Sequence, residues 1–275
     1  MKKRIRAGVA GTPTSIADAQ RIRNRVFVVE KGLLSQRVPM LDRETDGYDA
    51  LGTTLQFIAY VDDAPVATAR LIRPNPDVAR AIGEAVGLDL ALRYDLRPFA
   101  AAGVSLAEVS RMCVLPEHRG TAVLCELYLA MYRESLRVGL THWVGASNTE
   151  TDAIEDARIA YRIAVREGFA SDLWRVVPRE GAGADGPSSH PFYSPEERAR
   201  ARAGDLEGLR LPRTLRTFAH LAARYMGEPI REKGYSVCSL PIVVDLADVV
   251  HTRAFQQPST PDWGIGGAVS PRSGP

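Results

Sequence analysis

EVSRMCVLPEHRG, residues 108–120, decides the fold. It continues an apolar run, LAEVSRMCVL, that reads as a strand, and then breaks at Pro116 into an Arg119-Gly120 turn. Core strands seldom carry charges, because burying an unpaired one is costly. This strand carries Glu108 and Arg111. Residues three apart on a strand face opposite sides, so the two part company unless a bulge re-aims one of them.

Working outward, AVLCELYLAMYRESLRVGL predicts a strongly apolar helix covered on most sides. THWVGASN follows as a strand, IEDARIAYRIAVREGF as a helix closed by Gly168, and DLWRVVP as another strand. Upstream, LQFIAYVDD and APVATARLIRP read as a hairpin with an Asp62-Asp63 turn. Residues 77–100 are helical in character and stop at Pro98. Residues 4–10 alternate like a short strand. SIADAQRIRNRVFVVEKG reads as a helix with Ser15 as N-cap, Asp18 in its first turn and Gly32 at its end. From 179 to 214 the texture turns to Gly, Pro and charge, a long loop or insertion with helical character at PEERARARA. LRTFAHLAARYMGEPI then reads as a helix and SVCSLPIVVDL as a closing strand. QQPSTPDWGIGGAVSPRSGP reads as a flexible tail. Helices interleaved with strands after a hairpin imply an α/β domain with a mixed central sheet over residues 1–255, and a tail over 256–275.

The chain's net charge of +2 gives no reason to expect a nucleic acid or an acidic membrane as partner. The basic N-terminus lacks the apolar core of a signal peptide, and no run is long enough to span a membrane. Cys113, Cys125 and Cys238 form neither a metal spacing nor an even disulfide set, which favours a reducing, cytoplasmic setting. No metal is implied. Cys113 reads as a small core residue rather than a nucleophile.

Four polar groupings carry the chemistry. Arg23 and Phe27 share a helix face at i and i+4. Glu44, Asp46 and Asp49 crowd an irregular segment, Arg70 ends the second hairpin strand, and Glu108 and Arg111 sit on the central strand. Any one of these charges taken alone reads as a solvated surface group. Their order along the chain changes the odds.

The chain resembles the GNAT superfamily of N-acyltransferases, most of all the acyl-homoserine-lactone synthases and the long-chain N-acyl amino acid synthases. VLPEHRG, residues 114–120, matches the general strand-to-helix junction, and REGF, ending at Phe169, matches the close of the later helix. The synthase branch adds the R-x-x-x-F, E-x-D-x-x-D, Arg and E-x-x-R features matched by the four groupings above. ARYMGEPIREKGYSVCSLPIVVDL resembles the C-terminal strand region of the amino acid synthases.

The resemblance implies a GNAT fold and transfer of a fatty acyl group from a carrier thioester to the amine of an amino acid or a related acceptor. It implies Glu108 as general base and the backbone N–H of Val114 as oxyanion donor. Arg23, Phe27, Asp46, Asp49, Arg70 and Arg111 would form an acceptor-site network. Arg119, Gly120 and Thr121 would bind the donor.

Two departures refine this. Ala122 and Leu124 replace small residues that let acyl-CoA's pyrophosphate approach the helix N-terminus. That favours an acyl-phosphopantetheine on acyl carrier protein over acyl-CoA, with no tightly bound cofactor. Arg119 would then face the carrier, with Arg133 and Arg137 as further docking cations. Leu33 follows Gly32 where lactone synthases carry Trp, which speaks against homoserine lactone. A lactone synthase, acylation of ornithine or of a peptide lysine, and a catalytically inactive binding protein remain the alternatives.

Overall fold

The computed structural model describes residues 4–33 and 42–256. Its strands are β1 Ile5–Val9, β2 Thr54–Val61, β3 Ala64–Ile72, β4 Leu106–Val114, β5 His142–Asn148, β6 Arg224–Tyr225, β7 Ile230–Arg231 and β8 Cys238–Asp245. Its helices are α1 Pro13–Arg23, α2 Pro76–Ile82, α3 Arg97–Ala102, α4 Val123–Arg137, α5 Ile154–Arg166, α6 Pro195–Arg202, α7 Arg213–His220, α8 Leu246–Val249 and α9 Arg253–Gln256. The strands form one sheet in the order β1-β2-β3-β4-β5-β8-β6, with β7 also on β8. Only the β4–β5 pair is parallel, so the sheet is mixed and mostly antiparallel. The Asp62-Asp63 turn closes the hairpin with both residues at positive φ, 49° and 70°, as a tight two-residue turn requires.

Alternation sorts the core into two sides. Leu71, Ala107, Trp143 and Val244 join the cluster under α4, where the Trp143 indole donates to Ser135 at 2.9 Å and meets Tyr128 edge-on. Their neighbours Ile72, Leu106, Val144 and Val243 pack on the other face with Leu88, Leu90, Tyr94 and Phe99. By the same alternation Arg70 and Glu108 belong to this second face.

The bulge that the sequence left open is present. Thr68 pairs with Cys113 and Arg70 with Ser110, so β4 carries one extra residue between the two pairs. Arg111 takes up the turn at φ 53°, and its side chain swings to the Arg70 side. A second local feature opens the sheet. β4 and β5 pair only from Leu106↔His142 to Val109↔Gly145 and then diverge. At that last pair a Cβ on residue 145 would lie 2.6 Å from the Val109 carbonyl oxygen, so the close approach requires glycine.

Several local expectations are corrected. The N-cap of α1 is Thr12, with Ser15 its capping-box partner at N3, and Pro13 starts the helix earlier than Ser15 would. Asp18 therefore lies beyond the first turn and pairs with Arg21. The helix does not run on as α: Asn24–Glu30 widens into a π-helix. Pro98 opens α3 instead of stopping a helix, because its missing N–H has no partner to lose in a first turn. Residues 172–178 are not a strand. Val176 N–H reaches Met226 O, and an isolated Tyr94↔Pro178 bridge is the rest. α7 ends at His220, since Ala222 turns at φ 68°, and the ARY that follows enters edge strand β6.

The 179–214 segment contains α6, as its PEERARARA stretch predicts. Asp152 accepts from Ser188, Ser189 and His190, and Asp156 from Phe192, Tyr193 and Arg198. Buried Ala201, Leu206, Leu209 and Leu211 tie it into the main core. The expected tail lies outside the described residues from 257 onward, while Gln256 closes α9.

Candidate active site

The acidic segment folds as a short 3-10 turn, Gly47–Ala50, capped reciprocally by Asp46 and Asp49. Its carboxylates meet three arginines from three elements. Arg23, fully buried at the end of α1, binds Glu44 and grips Asp49 with two bonds of 2.9 Å. Arg70, also fully buried, reaches Asp46 at 2.6 Å, Asp49 at 2.9 Å and Ser110 at 3.0 Å. Arg111 binds Glu44 at 3.0 Å, Asp46 at 2.8 Å and the Tyr235 hydroxyl at 2.9 Å. Five of the expected residues thus form one network with Glu44. Phe27 stands apart from it and lines the large cavity instead.

The network sets the ionisation of its members. Burial would raise Asp49 and Asp46, but the Arg23 and Arg70 contacts override it and hold both below the usual carboxylate range. Burial would lower Arg111, and Glu44 and its neighbours instead keep it firmly protonated.

Glu108 sits beside this network with different partners. It is 1% exposed, accepts from Leu90 N–H at 2.8 Å and lies 3.5 Å from Arg93. Arg93 also binds Asp89 at 2.8 Å and Glu232 at 2.9 Å. Burial, helped by the Asp89 charge, pushes Glu108 up to about 7. It is a carboxyl group able to hold or release a proton at neutral pH. Burial also pushes the Cys113 thiol up to about 12, which leaves it a protonated core residue.

Sequence reading missed Asp89, Arg93, Glu232 and Tyr235. The i, i+4 spacing of Asp89 and Arg93 was a signal, but Glu232 comes from 139 residues further on and carries none. In total four guanidinium groups face six carboxyl groups, an excess of acid.

The divergence of β4 from β5 opens a cavity of about 1180 Å³ that passes through the sheet. Glu108, Ser110 and Arg111 line it on one side, and Thr121, Leu124 and Cys125 at the start of α4 line it on the other. Leu115 N–H donates to Val66 O, so by alternation the N–H of Val114 points away from β3 and toward this wedge. Arg119 donates to the Val114 carbonyl at 3.0 Å and makes two bonds to Glu30. Its charge is therefore paired within the chain, while its side chain stays 35% exposed. Arg137 pairs with Glu134, and Arg133 is exposed. Gly120 turns at φ 72°, and the Thr121 hydroxyl bonds to His118 O.

The family described as N-acyl amino acid synthase FeeM matches residues 18–154, the span from α1 through the network and the wedge to the start of α5. Over that part of its length the chain is similar to the N-acyl amino acid synthases. The solved FeeM, an N-acyl amino acid synthase from uncultured soil microbes, shares the fold at TM-score 0.51 and 10% identity, over 92% of this chain and 95% of that one. The L-ornithine N(alpha)-acyltransferase of Rhodobacter capsulatus is 36% identical over 125 residues, 42% of this chain. The match spans 45% of that relative's own length. BjaI, a CoA-dependent acyl-homoserine lactone synthase, superposes at TM-score 0.47 with 16% identity, over 92% of this chain and 90% of that one. Among the described residues no helix is long and apolar enough to cross a membrane.

Proposed function

We propose that this GNAT-type enzyme transfers a fatty acyl group from an acyl-phosphopantetheine thioester to the amine of an amino acid. The observation that carries this reading is Glu108, a buried carboxyl raised to about 7 at the edge of the wedge toward which Val114 N–H points. The amine must be uncharged to attack, because an ammonium has no lone pair. Glu108 takes its proton, directly or through a water. The nitrogen bonds to the thioester carbonyl carbon, and Val114 N–H donates to the developing oxyanion. As the C–S bond breaks the nitrogen gives up its second proton, and of the two protons released one goes to the departing sulfur and the other to solvent. No acyl-enzyme is needed. Holding both substrates across the wedge supplies much of the rate.

Arg70 and Arg111 are committed to the 44–49 segment, so in this reading they shape the site and do not hold the acceptor carboxylate. The donor's phosphate would approach the α4 N-terminus at Gly120 and Thr121. Leu124 on the cavity wall narrows the space for a pyrophosphate and favours carrier protein over CoA. The three free cysteines are all buried, which suits the cytoplasm where such carriers work.

The excess of carboxylates favours a cationic acceptor such as ornithine over a neutral one, and the ornithine-acylating relative agrees with it. The test is mass spectrometry of lipid extracts from cells expressing wild type or Glu108→Gln. A new N-acyl amino acid with wild type alone supports the reading and names acyl chain and acceptor. Equal product from both removes Glu108 as base.

A further inference from the structure

A second cavity, of about 760 Å³, abuts the first. Asp89, Arg93, Arg111, Glu232 and Tyr235 line both, so this layer of side chains is a partition with a space on either side. Glu108 and the wedge lie on the first side only. The rest of its lining includes residues 46–48 of the acidic segment, residues 179–182, where the inserted segment begins, and Lys233 in the turn between β7 and β8.

The polar groups around it are unevenly matched. Asp89 presents one oxygen to Arg93, and Glu232 presents one to Arg93 and Ser239. The other oxygen of each has no hydrogen-bond donor among the described residues. Arg93 Nε is shut off from solvent and unpartnered there too. Arg179 is taken by Glu84, whereas Lys233 is exposed and pairs with no carboxylate among the described residues. The cavity thus has spare acceptors for a cation at Asp89 and Glu232 and, next to Glu232 along the chain, a spare cation in Lys233, with the exposed Glu180 also on its lining.

We propose that this second cavity binds the acceptor as a free α-amino acid. Its ammonium faces the open oxygens of Asp89 and Glu232 at the partition, and its carboxylate pairs with Lys233. The inference rests on the transferase reading and assigns the acceptor's side of the same site. Donor and acceptor then approach the partition from opposite cavities, and the amine reaches Glu108 across it. The volume leaves room for a side chain beyond the α-carbon.

The test is a direct binding measurement, independent of turnover. Saturation-transfer NMR of the full-length protein is run with the twenty common amino acids and ornithine. Each amino acid that binds is repeated as its carboxamide, which lacks the carboxylate, on wild type, Lys233→Ala and Lys233→Arg. We expect at least one amino acid to bind wild type at least ten-fold more tightly than its carboxamide does. That preference should collapse in Lys233→Ala and return in Lys233→Arg. No binding by any amino acid, or a carboxylate preference unchanged in Lys233→Ala, overturns the proposal. Failure of the transferase reading looks different: an amino acid binds with the expected Lys233 dependence, and no acylated product forms from any donor.

Discussion

At the scale of single residues, burial decides what each charge can do. Glu108 and Asp49 are both carboxylates in the same half of the molecule. One is raised by burial and the nearby Asp89 charge, which outweigh a backbone N–H and a more distant guanidinium. The other meets two arginines face-on and is depressed. As a base, Glu108 must be ionised, so kcat/KM for wild type should climb with pH up to about 7 before levelling. Glu108→Gln should lower kcat by about 10²–10⁴-fold and lose that limb, as steady-state pH profiles would reveal. The buried Arg23 has the opposite role. Removing it as Arg23→Met takes one of two arginine partners from each of Glu44 and Asp49, leaving Arg111 on the first and Arg70 on the second. The loss should be about 3–5 kcal/mol in urea unfolding, the cost of breaking a buried ion pair by removing one partner.

At the scale of elements, β4 is the decisive strand. Its bulge brings Arg111 to the Glu108 side, and its early parting from β5 makes the wedge. Gly145 marks the last point of contact between the two strands. Gly145→Ala would drive a methyl group into the Val109 carbonyl, forcing the strands apart at the foot of the cavity. We expect about 1–3 kcal/mol of destabilisation, read as a lower melting temperature. The rise in donor KM should exceed the rise in acceptor KM, because the proposed function places the donor in the wedge.

At the scale of the whole molecule, the depressed and raised carboxyls pull stability in opposite directions with pH. Asp46, Asp49 and Asp152 have folded pKa values below their unfolded ones. Their contribution is complete above the unfolded value, about 3.9, and is lost as pH falls through the folded values. Glu108 runs the other way. Its folded value of about 7 exceeds the unfolded one, so ionising it costs the folded state stability between the two. Denaturant melts from pH 8 to 3 should show Glu108→Gln gaining on wild type as pH rises from about 4.3 to about 7. Both proteins should weaken together in acid.

Periodicity and turn chemistry were enough to read the hairpin, β4, β5, α4, α5 and the closing strand from residue types alone. These are local signals. The types and order of Arg23, Glu44, Asp46, Asp49, Arg70, Glu108 and Arg111 pointed to a site only through the resemblance to a known family, since each charge alone reads as a solvated surface group. Ser15 misled because two capping residues stand three apart and Pro13 chooses between them. The 172–178 run misled because β propensity needs a neighbouring strand to pair with, and none runs beside it. Only the tertiary structure decided which arginine meets which acid and on which face Arg111 emerges. It alone brought Arg93 and Glu232 together beside Glu108. Those pairings depend on one extra residue in a ladder and on contacts across more than a hundred positions. A local pattern of residues does not encode such distances.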